Sequence, residues 1–373
     1  MGIRNLAARP LIRYRTIRMT RLPEPPTSAQ DWADHLGIDP ESVALYLDSE
    51  VIDLHNDLYV PARLYGYNPH KEHRVGWNGA FYFGQTDLPR IRKSGITALT
   101  FDIATNPART GKQRGPLTLE NIGRIQSDIG QYPDQLALVT NAREYREARA
   151  ANKTACFIGI QGGQAFQYDD DTMDQIPDAV HRITLVHLTN SQIGCTSSPL
   201  GPDRGGLTEK GKRLVNIMNE KRCLVDLAHI NPAGFWDAVD AHQRDIPFAC
   251  THTGVDGAHT HWRNIDDDQI RAVADSGGVV GVIFHGGFLD GSAFRSTPDV
   301  VLDHAEHIIQ VAGEHAPAIG TDYDGMIVPP KGLEDVMKMP VLVEHMRQRG
   351  WNETRIRNVL GLNAQRLLEA IRP

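Results

Sequence analysis

Short apolar runs recur along the chain, each followed by a longer stretch in which apolar residues return at helical spacing. The runs are VIDLH (51–55), ITALTFDI (96–103), ACFIGI (155–160), RITLVH (182–187), CLVDLAH (223–229), PFACTH (247–252), GVVGVIF (278–284) and PAIGTD (317–322). Runs of this length, rich in β-branched residues and closed by turn formers, predict buried strands. The stretches between them predict helices over 119–131, 140–149, 208–221, 232–243, 266–276 and 299–315, with Thr208, Asp266 and the Thr297–Pro298 pair as start signals. Apolar runs separated by helices are expected to form parallel strands with crossovers. Eight such units in one chain predict an α/β fold, a closed (β/α)8 TIM barrel. Residues 31–49 add one or two short helices before the first strand, and 333–371 add more after the eighth. The expectation is a barrel with extra N- and C-terminal helices.

No interior linker, repeat or low-complexity tract breaks this rhythm. The expected organisation is a basic, flexible N-terminal extension over residues 1–30 and one domain over 31–373. The extension carries Arg4, Arg9, Arg13, Arg15, Arg18 and Arg21 and no acid up to residue 21. It has no apolar core of the kind a secretory signal needs, and Leu6 stands where a myristoylation signal has Ser or Thr. An organelle transit sequence, or a start at Met19, are the other readings of this stretch. No apolar run reaches the roughly 20 residues of a membrane helix, so a cytoplasmic location without membrane contact is expected. Lys plus Arg total 39 against 46 Asp plus Glu, a net charge of −7, which leaves no basic surface for nucleic acid. Four cysteines without a CxxC pair make neither a disulfide framework nor a zinc finger. Cys156, Cys223 and Cys250 fall within predicted strands and read as small buried hydrophobes, with Cys195 in a loop near the mouth.

The polar residues change the picture, because they gather where the runs end. The first run ends in His55-Asn56-Asp57, the fourth in His187, the fifth in His229, the sixth in His252, and the eighth in Asp322 with Asp324 just beyond. The C-terminal rim of the strands is where such barrels carry chemistry. One histidine at a strand end is usually a satisfied core residue; this many histidines and aspartates on one rim are a site. His55 and Asp57, two apart on a strand, share a face and can hold one metal. His229 and His252 can hold a second or share the first. Imidazole with carboxylate suits Zn2+, with Mn2+ or Fe2+ as alternatives. A metal there would generate hydroxide from bound water near neutral pH, and Asp322 could carry its proton to a leaving amine. His285 is expected to line the mouth, and residues 56–79, long and aromatic, to form a lid or a substrate-facing loop.

The order of short motifs resembles the membrane (renal) dipeptidase family of the metal-dependent amidohydrolase superfamily. VIDLHNDL, QTDLPRIRKSGI, GLTEKGKRLVNIMNEKRCLVDLAHI, THTG with HWRNIDDDQI, IGTDYDG, GLEDV and GLNAQRLL carry the likeness across most of residues 50–371. The resemblance implies a barrel, a binuclear zinc centre and hydrolysis of dipeptides, including some with a C-terminal D-residue. It implies that His55 and Asp57 bind the more buried metal and that His229 and His252 bind the other. It implies that His187 hydrogen-bonds the scissile carbonyl oxygen, Arg263 holds the substrate carboxylate, and Asp322 is the proton shuttle.

One position departs from the family. A glutamate in a Gly-x-Glu-Gly pattern bridges both metals there, whereas FIGIQGGQAF places Gln161 at the matching position, with Gln164 close by. An amide oxygen supplies neither a charge nor two equivalent oxygens, so the bridging role of Gln161 is expected to be weak or lost. The second zinc site is then in question, and one ion or two are both open. The leading expectation is a metallo-dipeptidase acting on a dipeptide or related small amide. The alternatives are a catalytically silent barrel that binds a peptide-like ligand through Arg263 and His187, and a hydrolase of a different amide or lactam. Assembly into a homodimer is left open.

Overall fold

The strands follow one another around a ring. A computed structural model describes residues 21–73, 81–105, 111–166, 176–199 and 205–373. Nine strands lie among them: β1 (Ile52–Asn56), β2 (Ala98–Ala104), β3 (Leu136–Leu138), β4 (Thr154–Gln161), β5 (Val180–Thr184), β6 (Leu224–Asp226), β7 (Cys250–Thr253), β8 (Val280–Val282) and β9 (Pro317–Ile319). The order is β6-β5-β4-β2-β1-β9-β8-β7, every pairing is parallel, and β3 pairs with β4 off that path. The ends of the path meet through a parallel bridge between Asp226 and Ala249. There Ala249 N–H donates to Val225 O at 3.0 Å and Leu227 N–H to Ala249 O at 2.8 Å. This bridge closes the ring of eight strands, with β3 as a short flap beside β4.

Eight predicted runs became the eight ring strands. The ninth, β3, is three residues long with a partly exposed face, too short to show a period. The run ending at His187 stops earlier than expected: β5 closes at Thr184, and His187 lies in the segment beyond it. Crossover helices stand where the pattern placed them, at Ala142–Ala150, Glu209–Glu220, Pro232–Ala241, Asp267–Asp275 and Pro298–Ala312. Thr208 caps its helix by accepting from Gly211 N–H, and Asp266 forms a full capping box with Gln269. The helix expected over 119–131 spans Gly111–Ile129 with Pro116 inside it. The segment 56–79, expected as a loop, contains the helix Tyr59–Tyr65, which ends on Gly66 at φ 73°. Residues 74–79 of that segment, and residues 1–20 of the expected basic extension, lie outside the described residues. Leu22, just after them, is 2 % exposed, and its N–H donates to Gln135 Oε1 at 2.7 Å.

Two apolar clusters hold the frame. The larger packs strands against the surrounding helices. The smaller joins Ile52, Ala98, Ala155, Leu224 and Ala318, at or near strand starts, to Ala364, Leu367, Leu368 and Ile371 of the helix Asn363–Ile371. That helix therefore closes the end of the barrel opposite the rim, each large side chain contributing roughly 1.5–3 kcal/mol by burial. Arg182 borders the same apolar space, with Leu54, Phe157 and Leu224 around it. No described helix is long and apolar enough to cross a membrane.

Candidate metal centre

The ends of β1 and β9 are tied together by a buried carboxylate. Asp53 Oδ1 accepts the N–H groups of His55 (3.2 Å) and Thr321 (2.8 Å), and Oδ2 accepts the Thr321 hydroxyl at 2.7 Å. The β1–β2 register slips between Asp53 and Asn56, and beyond it Asp322 N–H donates to His55 O at 3.1 Å and Asp57 N–H to Tyr323 O at 2.8 Å. These bonds bring three side chains to one spot: His55 Nε2 lies 3.7 Å from Asp57 Oδ2 and 3.5 Å from Asp322 Oδ1. Asp322 takes φ 60°, a left-handed backbone that costs a non-glycine residue roughly 1–3 kcal/mol. His229, at φ 69°, is in the same region. Its carbonyl is held by Ser197 N–H at 2.7 Å and the Thr196 hydroxyl at 2.9 Å, which fixes the strained turn.

His229, just beyond β6, and His252, on β7, complete the cluster. Their Nε2 atoms are 2.8 Å apart, and Gln161 Nε2, at the end of β4, is 3.4 Å from each. The His252 ring lies over that of His55, with centroids 3.7 Å apart. His187 stands edge-on to His229 at 4.7 Å, with its Nδ1 buried and without a hydrogen-bond partner. Arg263 is buried; one arm donates to His252 O at 2.6 Å while its Nε has no partner. The structure thus gathers His55, Asp57, Gln161, His229, His252 and Asp322 at one spot. His187 touches the cluster through His229, and Arg263 through His252. Asp324 turns away from them: its carboxylate accepts the N–H groups of Gly84 (2.6 Å), Gln85 (3.1 Å) and Thr86 (3.0 Å), and the Thr86 hydroxyl.

Burial sets the charges. It pushes His55 down to about 4 and His187 down to about 3, and holds His229 and His252 well below the ordinary histidine value. Four neutral imidazoles result, each able to offer a lone pair. Burial raises Asp57 to about 7 and Asp322 well above the carboxylate range, the Asp57 charge adding to the latter. Burial also lowers Arg263 to about 10, against the pull of Asp322. A site of this kind fits a cation. His55 Nε2, Asp57 Oδ1, Asp322 Oδ1 and Gln161 Oε1 are buried without a hydrogen-bond partner, and such atoms are costly to leave unsatisfied. Ligand atoms of His55, His252 and Asp322 all lie within 4.8 Å of one another. Imidazole nitrogens with carboxylate oxygens are the donors a first-row dication prefers.

Other charged residues at this end of the barrel escape notice in the pattern of strand ends. Asp102 lies 3.1 Å from His55 Nδ1. Arg182 lies below, in the middle of β5, and Asp226 closes β6; the signal for all three is a charge inside an otherwise apolar run. Arg63, on the helix after β1, donates to Ala104 O at 2.6 Å, and its charge is felt at Asp57 and His187. Cys156, Cys195, Cys223 and Cys250 are all buried free thiols.

The chain is similar to known proteins along most of its length. The family model for membrane dipeptidase (peptidase family M19) matches residues 41–372. Mouse dipeptidase 3 is 30% identical over 341 residues, covering 89% of this chain; the chain spans 66% of that protein, just under two thirds of its length. Among solved structures, dipeptidase AC, a metallo peptidase of family M19, superposes with a TM-score of 0.76 at 27% identity, covering 86% of this chain and 98% of that one. A metallo peptidase from Rhodobacter sphaeroides, liganded with a phosphinate mimic of the dipeptide L-Ala-D-Ala, shares the fold at 24% identity and a TM-score of 0.76, covering 86% of this chain and 99% of that one.

Proposed function

Because this chain belongs to the membrane dipeptidase family, peptidase family M19, we propose that it hydrolyses the amide bond of a dipeptide at the rim built by His55, Asp57, His229, His252 and Asp322. The observation that carries the reading is the set of buried, unpartnered nitrogen and oxygen atoms converging there. His55 and Asp57 would hold one cation, with His229 and His252 holding a second or sharing the first; zinc suits these donors. The cation supplies Lewis-acid charge, which polarises a carbonyl and makes water a better nucleophile. Arg263 binds the substrate's free carboxylate through the part of its guanidinium that β7 leaves unpaired, a planar fork against a planar anion. His187 donates to the scissile carbonyl oxygen as negative charge develops there. Asp322 takes a proton from the attacking water and returns it to the departing amine, so that water and amide become acid and amine.

A second reading rests on Gln161, whose Oε1 is buried and unpartnered. It brings no charge to the rim, and a barrel that retained ligand binding without turnover would result if the centre needed that charge. One experiment separates the two. Purified protein is analysed for zinc by mass spectrometry and assayed on a panel of L-L and L-D dipeptides, alongside His229→Ala and His252→Ala. The dipeptidase reading expects bound zinc, turnover that a chelator abolishes, and loss of both in each variant. Protein that holds zinc and binds dipeptides without cleaving them supports the second reading. Full activity with unchanged metal in either variant removes the rim from the mechanism.

A further inference from the structure

Beneath the rim lies a charged group that the reaction does not use. Arg182 is among the largest fully buried side chains of the chain, and it is shared between two carboxylates. Nη2 pairs with Asp102 Oδ2, and Nη1 donates to Asp226 Oδ2 at 2.5 Å. Replacing such a buried ion group by apolar residues of similar volume is often neutral or stabilising, so stability alone is a poor reason for its presence. Room is made for it as well. A Cβ at Gly159 on β4 would come within 2.3 Å of Asp102 Oδ1 and 2.8 Å of Arg182 Nη2, so only glycine lets the pair pass.

The hydrogen-bond partners of the two carboxylates constrain where the protons lie. Asp226 Oδ2 accepts the hydroxyl of Thr251 at 2.7 Å, while Thr251 Oγ1 lies 3.0 Å from His252 Nδ1. A hydroxyl has one proton. Given to Asp226, it leaves the oxygen as acceptor, so His252 must carry its proton on Nδ1 and turn a lone pair outward on Nε2. On the other arm, His55 Nδ1 is 3.1 Å from both Asp102 Oδ2 and Arg182 Nη2. Nη2 has two protons and gives one to Asp102; the ionised carboxylate can only accept, so it takes the His55 Nδ1–H, and Nε2 again is the free base. We infer that Arg182, through Asp102 and Asp226, is a positioning residue that fixes the tautomers of His55 and His252 together, so that both Nε2 atoms face the rim as acceptors. One guanidinium thereby serves two imidazoles on strands that do not pair with each other. A lysine could not do the same: its single ammonium lacks the planar fork that reaches both carboxylates.

This inference rests on the reading of the rim as a metal centre, and its test reports on the two separately. Imidazole nitrogen shifts of isotope-labelled histidine in the metal-free protein read the tautomers directly. Zinc retention against a competing chelator reads the consequence. Wild type should show His55 and His252 protonated on Nδ1. Thr251→Val, which deletes one hydroxyl and keeps the shape, should change the His252 signal alone and weaken zinc by about 10–100-fold. Arg182→Lys should disturb both signals with a similar loss, and Arg182→Met should lose at least as much. If Arg182→Met does not fold, Thr251→Val and Arg182→Lys still decide the matter. Wild-type tautomers and zinc retention in both of those variants overturn the role of Arg182. Wild-type protein that shows the Nδ1–H tautomers but retains no zinc overturns the metal centre and leaves the positioning relay standing.

Discussion

Gln161 is the position at which charge and metal binding can be played against each other. The side chain is 1% exposed, and its Nε2 lies 3.4 Å from both His229 Nε2 and His252 Nε2. Gln161→Glu keeps the shape and adds one negative charge there. At an effective dielectric of about 20, unit charges some 4 Å apart attract by about 4 kcal/mol, so a dication would gain about 8 kcal/mol gross. Burying the carboxylate costs several kcal/mol of this. A net of roughly 2–3 kcal/mol remains, an ion held about 30–150-fold more tightly. Without the ion the sign reverses. The new carboxylate would then be buried near Asp57 and Asp322 with nothing to offset it, a loss of about 3 kcal/mol. For a chain of this length that lowers Tm by about 4 °C. The assay is a thermal melt of chelator-treated wild type and variant, with and without added zinc, together with metal content after desalting. The expected result is a variant less stable than wild type when stripped and stabilised more than wild type by zinc, approaching two ions per chain. Wild type that already holds two ions tightly, with a variant no different in either melt, would refute the account of Gln161 as a weakening substitution. A variant that gains metal but no dipeptidase activity would show that the pocket around the ion has diverged.

Two further outcomes follow from the same geometry. Arg263→Ala should lower kcat/KM for dipeptides with a free carboxylate by roughly 2–4 kcal/mol in transition-state terms, and should leave an amidated dipeptide nearly unaffected; steady-state kinetics on the matched pair decide it, and equal losses would remove Arg263 from carboxylate recognition. Asp324→Ala should leave three backbone N–H groups and the Thr86 hydroxyl without their acceptor and cost about 3 kcal/mol; denaturant unfolding should show a lower midpoint at unchanged slope, and an unshifted midpoint would mean that the segment 84–86 is held by other contacts.

The eight ring strands, most of the crossover helices and the residues of the rim are legible in the order of amino acids alone. These are local matters. A buried parallel strand announces itself as an apolar run, a helix start as Thr208 or Asp266 before a periodic stretch, and a barrel rim as polar residues at successive run ends. The motif order also pointed to the family, and Gln161 stood out against it as a single changed letter. Relations between distant residues emerge only in the folded ring. Arg182, Asp102 and Asp226 sit on three different strands, and nothing local in RITLVH, ITALTFDI or CLVDLAH says that their charges meet beneath two histidines. Asp322 and Asp324 stand two apart in IGTDYDG; one turns into the rim, while the other reaches the backbone of Gly84, Gln85 and Thr86. β3 is missed because three residues carry no period, and the helix Tyr59–Tyr65 because it is a short piece of a segment, 56–79, that is aromatic and rich in turn formers. A pattern along the chain records which residues want to be buried; which of them share a proton is settled only when the ring closes and brings their strands side by side.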